Sequence, residues 1–234
     1  MVHEDSVQSN IKQYYEKNKG DESPSISKGS TGNGSLVNGK LMPYSGANFR
    51  YFDNSSYLLG RAFVNHRVRN TVLDGYKLLE VSAKDRRFYI MECSHKKGGT
   101  LFPHRTHQNG LSVDFMIPKL RKDSPYYGLD SMGTRHYFLM FDNKGRYSVD
   151  SNIVLDLNTT ALHIIELDKA AKKNGLKIKK VILKTELIPL LFATPNGKKL
   201  KSRHIYFAKY LTPFINDSHD EHFHIDFEAV AKVK

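Results

Sequence analysis

The sequence predicts an α+β domain built on a central, mainly antiparallel sheet with flanking helices, and three observations lead there. Residues 111–117 and 222–227 alternate in side-chain character at the two-residue period of a strand. Residues 159–174 carry Ala161, Ile164, Ile165, Leu167 and Ala171 on one stripe at a period of 3.6. Residues 178–183 then read as a strand, so helix and strand form a unit that docks on the same sheet.

Taken in order, residues 1–22 are polar and charged, and predict a short helix or a frayed arm. Residues 23–39 are rich in Ser, Gly and Asn and read by composition as a flexible linker. Asp53 and Asn54 precede Leu58, Leu59, Ala62 and Phe63, and Val68, Val72, Tyr76 and Leu79 continue the rhythm, predicting one or two helices over 54–80. Residues 87–93 read as a buried strand that ends in a basic loop with Gly98 and Gly99. In 111–117, alternation puts Leu111, Val113 and Phe115 on one face and Ser112, Asp114 and Met116 on the other.

Residues 137–141 predict a further strand, with Asn143, Lys144 and Gly145 turning into a hairpin partner. Gly175 after Asn174 suits the end of the 159–174 helix. Residues 195–199, Pro-Asn-Gly-Lys-Lys, predict a turn, and 205–211 a short helix or strand. In 222–227, His222, His224 and Asp226 share one face of a strand, and Phe223, Ile225 and Phe227 share the other.

Length and composition bound the function. A chain of 234 residues with 39% hydrophobic and 11% aromatic residues can bury a core without disulfides or a structural metal, so a metal here would be functional. The excess of 36 Lys and Arg over 24 Asp and Glu, a net +12, favours anionic partners such as nucleic acid, wall polymers or acidic membrane surfaces. No specific nucleic-acid motif is present, and a basic surface alone gives salt-sensitive, non-specific binding. The single cysteine, Cys93, excludes an intramolecular disulfide and a multi-cysteine zinc site, leaving His and carboxylate as ligands. No apolar run reaches the ~20 residues of a membrane span. The N-terminus carries no apolar signal-peptide core, so an exported form is expected to be mature, its leader removed.

Five of the eleven histidines, His104, His107, His219, His222 and His224, lie in two short segments more than a hundred residues apart. Brought together, His107, Asp114 and His224 would supply the three protein ligands of a catalytic zinc, with the fourth position open to water. His222, on the face of His224, is then placed to take the water's proton or to stabilise an oxyanion as imidazolium. A regular strand points Glu221 to the opposite face, and His219 precedes the strand with its direction open.

The stretch Pro103-His104-Arg105-Thr106-His107-Gln108-Asn109-Gly110-Leu111-Ser112-Val113-Asp114, with His219-Asp220-Glu221-His222-Phe223-His224, resembles the penicillin-insensitive murein endopeptidases. That family belongs to the group joining lysostaphin-type peptidases, D-Ala-D-Ala metallopeptidases and the hedgehog signalling domain. The resemblance implies a fold of that group and Zn2+ bound by His107, Asp114 and His224. It implies that His222 and His219 act in catalysis and that His104 lies near the metal. It also implies that 23–41 belongs to the fold, dividing the chain into a polar arm, 1–22, and a zinc metallopeptidase domain, 23–234. The implied activity is hydrolysis of D-alanyl-diaminopimelyl cross-links in peptidoglycan, in a periplasmic or exported setting. Ser112 stands where the family usually has a second Asp, Thr106 where Ser is usual, and the family's paired cysteines are absent.

Two other readings compete. In a D,D-carboxypeptidase or dipeptidase, a Glu three residues before the last ligand is the base, and Glu221 has that spacing to His224. In a non-catalytic binding module, the zinc would be structural.

Overall fold

The computed structural model describes residues 2–230; Met1 and the last four residues of the predicted 23–234 domain lie outside them. The chain opens with α1 (Val2–Asn18), a full helix that seats Ile11 in the core and sets Tyr14 edge-on against Tyr57. One buried aliphatic side chain and two tyrosines suffice to dock a helix whose composition is otherwise polar.

The segment read as a linker is instead a β-hairpin, β1 (Ile26–Ser30) and β2 (Asn33–Val37). Its glycines are required by close packing: a Cβ on Gly34 would stand 2.4 Å from Ser30 O and 2.9 Å from Asn109 Cβ. Composition reports chain entropy and cannot see that second surface.

Next come β3 (Lys40–Leu41), β4 (Phe49–Tyr51), α2 (Asn54–Leu58), β5 (Phe63–Val64) and α3 (His66–Ser82). Asp53 caps α2 by accepting from Ser56 N at 2.7 Å, and Asn65 caps α3. The predicted 54–80 helical region is thus cut by β5, where Phe63 pairs with Leu41. The middle of the chain supplies β6 (Phe88–Ile90), β7 (Ser112–Met116), β8 (Lys119–Arg121), β9 (Ser124–Tyr126) and β10 (Ile153–Leu155).

The strand predicted over 137–141 does not form. Residues Gly133–Phe138 make a 3-10 helix, and only Phe141 bridges to Tyr147. The reason is local: His136 and Tyr137 are drawn toward the buried polar site described below. Beyond it lie α4 (Leu157–Lys173), β11 (Leu176–Ile182), α5 (Leu187–Ala193), α6 (Pro195–Lys201), α7 (Pro213–Asp217) and β12 (His222–Ala229). The predicted 195–199 turn is the start of α6, with Pro195 in the first turn and Thr194 capping Gly197 N. Residues 205–211 form neither helix nor strand, and Phe207 only bridges Val181.

The main sheet has the order β11-β12-β7-β6-β4 and is antiparallel except for β4 and β6. This is a mixed α+β fold with an antiparallel-rich sheet. All five residues of the α4 stripe are buried. The α3 and α4 helices approach closely at Gly75, where a Cβ would meet Leu167 Cδ2 at 2.9 Å.

At the centre of the core lies His163 of α4, packed among Phe88, Phe115, Phe223 and Tyr76 with neither ring nitrogen hydrogen-bonded. Burial pushes it down to about 3. An unfolded histidine titrates near 6.5, so below that pH the unfolded chain binds a proton that the folded chain refuses, and stability falls as pH falls toward 3. The loss attributable to His163 is about 2 kcal/mol between pH 6.5 and pH 5. His163→Leu is expected to remove that increment, read from urea unfolding at the two pH values; an equal pH dependence in variant and parent would refute it.

Candidate metal centre

The β7–β12 pairing sets Asp114 opposite His224, Met116 opposite His222 and Ser112 opposite Asp226. Strand alternation places His222, His224 and Asp226 on one face while Phe223, Ile225 and Phe227 enter the core. The sheet is covered on both sides, so the polar face is buried too: Asp114 is 1% exposed and His224 2%.

His107 arrives from the loop before β7. Its backbone is left-handed, φ 67°, a conformation that costs free energy in a residue with a Cβ and recurs at functional positions. The β1–β2 hairpin holds the loop in place: Gln108 N donates to Thr31 O at 3.0 Å, and Gly110 leaves no room for a Cβ beside Leu36 and Asn65 N.

Four side chains converge. His107 Nε2 lies 3.2 Å from Asp114 Oδ2. His224 Nδ1 lies 3.1 Å from His107 Nε2 and 2.7 Å from Asp114 Oδ1. His104 Nδ1 stands 3.6 Å from Asp114 Oδ2, and His104, His107 and Asp114 together offer ligand atoms within 4.8 Å of one another. Donors held about 2.0–2.1 Å from a tetrahedral ion are roughly 3.3 Å apart. The His107–Asp114–His224 triangle is close to that spacing, and His104, with its side chain 16% exposed, is the member nearest solvent. Asp114 Oδ2 is buried with no hydrogen-bond partner, the signature of a place where a cation completes the bonding. The donor set therefore fits a metal ion.

The charges agree. Burial raises the Asp114 carboxyl, but His107 and His224 outweigh it and hold it well below the usual carboxylate range. Burial lowers His224, yet Asp226 and Asp114 at its two nitrogens push it up to about 9. His104 is brought down to about 3 by burial and by His107.

Several contributors were not singled out by sequence reasoning. Asp226 accepts at Oδ1 from Ser112 Oγ at 2.6 Å, lies 2.8 Å from His224 Nε2 through that same oxygen, and pairs through Oδ2 with Lys180 at 2.9 Å. It stands behind His224 as a carboxylate that would orient a ligating imidazole and raise its basicity. The strand alternation already put it on that face; what was missing was its hydrogen-bond partner. Tyr137 rests edge-on against His222 and His104, its buried hydroxyl without a partner.

No family model matches this chain, and no curated protein matches it.

The remaining candidates fall around His222. Its Nδ1 is 2.6 Å from Glu221 Oε1, so Glu221 does not point away from this cluster as a regular strand would have it. Glu221 sits just before β12, where the strand twist does not yet apply, and its second oxygen is 2.9 Å from His136 Nδ1. Burial raises the Glu221 carboxyl, but His222 and His136 hold it down to about 2. His219 packs against His222 with the two rings tilted by 37°, and donates from Nδ1 to Ile215 O at 2.6 Å. Burial and His222 bring His219 down to about 3, so at neutral pH its Nε2 is a lone pair. Among the described residues, no helix is long and apolar enough to cross a membrane.

Proposed function

We propose that this chain is a zinc-dependent murein endopeptidase that hydrolyses D-alanyl-diaminopimelyl cross-links of peptidoglycan in a periplasmic or exported setting. The observation that carries the reading is the buried triangle of His107 Nε2, Asp114 and His224 Nδ1 with an orphaned carboxylate oxygen in it. The wall substrate, and a fold of the hedgehog and D-Ala-D-Ala peptidase group, rest on the motif resemblance. Exposed Phe102, two residues before His104, and exposed Phe138, next to Tyr137, offer apolar contact surface beside the site.

Zinc, when bound, lowers the pKa of its water to about 7 and so supplies hydroxide at neutral pH. His107, Asp114 and His224 would hold it, with Asp226 keeping the proton of His224 on Nε2 so that Nδ1 is free to ligate. His222, its Nδ1 proton directed to Glu221, takes the water's proton at Nε2 and returns it to the departing amine. His219 cannot donate from Nε2 in its neutral form, so it acts as an acceptor and as packing for His222.

Glu221 as the base of a carboxypeptidase is disfavoured because both of its oxygens are already engaged by imidazoles. The test is a digest of cross-linked muropeptides, analysed by mass, with and without chelator. Dimers are expected to fall to monomers, to persist after chelation and to fall again when zinc is restored. Undiminished cleavage by thoroughly demetallated protein would overturn the reading; release of terminal D-alanine alone would favour the carboxypeptidase.

A further inference from the structure

Behind His222 runs a chain of buried polar side chains that a metal site does not require. Lys119 is 1% exposed, Asp130 2% and His136 0%. The Lys119 ammonium has three protons and meets three acceptors: Ile117 O at 3.1 Å, Asp130 Oδ1 at 3.0 Å and His136 Nε2 at 2.9 Å. An ammonium has no lone pair, so His136 Nε2 must accept and the proton of this imidazole resides on Nδ1. That nitrogen faces Glu221 Oε2 at 2.9 Å, bent from ideal hydrogen-bond geometry but in close polar contact. The other oxygen of Glu221 meets His222 Nδ1 at 2.6 Å.

Each link fixes the next. A fully committed lysine sets the His136 tautomer, and His136 with its proton on Nδ1 anchors one oxygen of Glu221. The anchored carboxylate can only accept from His222, so the His222 proton is held on Nδ1 and the lone pair on Nε2. We propose that Lys119, His136 and Glu221 are positioning residues that hold His222 in the Nδ1-protonated tautomer.

Burying a lysine, a histidine and two carboxylates costs desolvation that an apolar cluster would avoid, and buried ionic groups are weak devices for stability alone. Their arrangement in a line ending on His222 gives them a directional role, of the kind by which a buried carboxylate orients a catalytic imidazole. The catalytic consequence rests on the peptidase reading; the tautomer itself does not.

Long-range proton–nitrogen NMR correlations on the full chain, labelled with nitrogen-15 histidine and recorded above the His222 titration, read that tautomer directly. The parent is expected to show a pyrrole-type Nδ1 and a pyridine-type Nε2 for His222. His136→Phe, which leaves Lys119 its other two acceptors, is expected to mix the two tautomers and to lower kcat ~10–100-fold at unchanged KM and zinc content. His136→Gln, whose amide can accept from Lys119 and donate to Glu221, is expected to restore both readouts. If His136→Phe does not fold, Glu221→Gln serves in its place, because its amide can donate to His222 Nδ1 and drive the proton to Nε2.

A His222 signal unchanged in every folded variant overturns the proposal, as does a parent already protonated on Nε2. A parent that cleaves no muropeptide defeats the peptidase reading, while the nitrogen signals still decide the positioning.

Discussion

His224→Ala is expected to take bound zinc from about one equivalent to none and to abolish cleavage of muropeptide dimers in the same step. His224 is the residue through which both halves of the site communicate: its Nδ1 approaches His107 and Asp114 from the N-terminal half, and its Nε2 is held by Asp226 of its own strand. Removing it leaves two members of the proposed ligand set, with His104, whose Nδ1 stands 3.6 Å from Asp114 Oδ2, as the other donor in reach; zinc retained through His104 would move the third ligand from His224 to His104. Asp226→Asn tests the same hub more gently and is expected to weaken zinc binding ~10–100-fold without abolishing it.

The pH dependence follows from the proton that His224 carries. In the metal-free chain it titrates at about 9, so at pH 7 zinc must displace that proton. Affinity is therefore expected to tighten roughly tenfold per pH unit from 7 toward 9 and to level above it, read by competition with a chromophoric chelator. Stoichiometric zinc in His224→Ala, or an affinity flat across that window, would refute the assignment.

His222→Ala is expected to retain its zinc and lose ~10²–10⁴ in kcat, the contribution of a positioned general base. Glu221→Gln, in the same assay, is expected to lose less. The argument is steric as much as electrostatic: Glu221 is 2% exposed and spans His222 and His136, so neither oxygen is free to meet a water. His222 shares the strand face of His224 and has its Nδ1 already satisfied. A greater loss in Glu221→Gln than in His222→Ala would reverse the roles and bring back the carboxypeptidase reading.

The one-dimensional pattern determined those elements whose burial follows a simple period. The stripe Ala161, Ile164, Ile165, Leu167 and Ala171 is legible because a helix that buries one face must repeat at 3.6 residues, and every member is buried. The strand carrying His222, His224 and Asp226 is legible because polar and apolar side chains alternate at a period of two, although both of its faces are buried. Where burial depends on a distant surface, the pattern misleads. The Gly-rich segment at 23–39 folds as a hairpin because Asn109 and the loop of residues 107–110 lie beneath it. Residues 137–141 fail to form a strand because His136 is pulled to Lys119 and Glu221, from elements 17 and 85 positions away in sequence.

The sequence by itself supplied the candidate donors: His107 in the loop ahead of one strand, Asp114 in that strand and His224 in another, residue types that suit an ion bound by nitrogen and oxygen. Only the tertiary structure decided that β7 and β12 pair in the register that sets Asp114 against His224. Only there do Asp226, His136 and Lys119 acquire partners. Backbone periodicity is local and survives in the letters, whereas a hydrogen bond between buried side chains depends on distance and direction, which exist only once the sheet has closed.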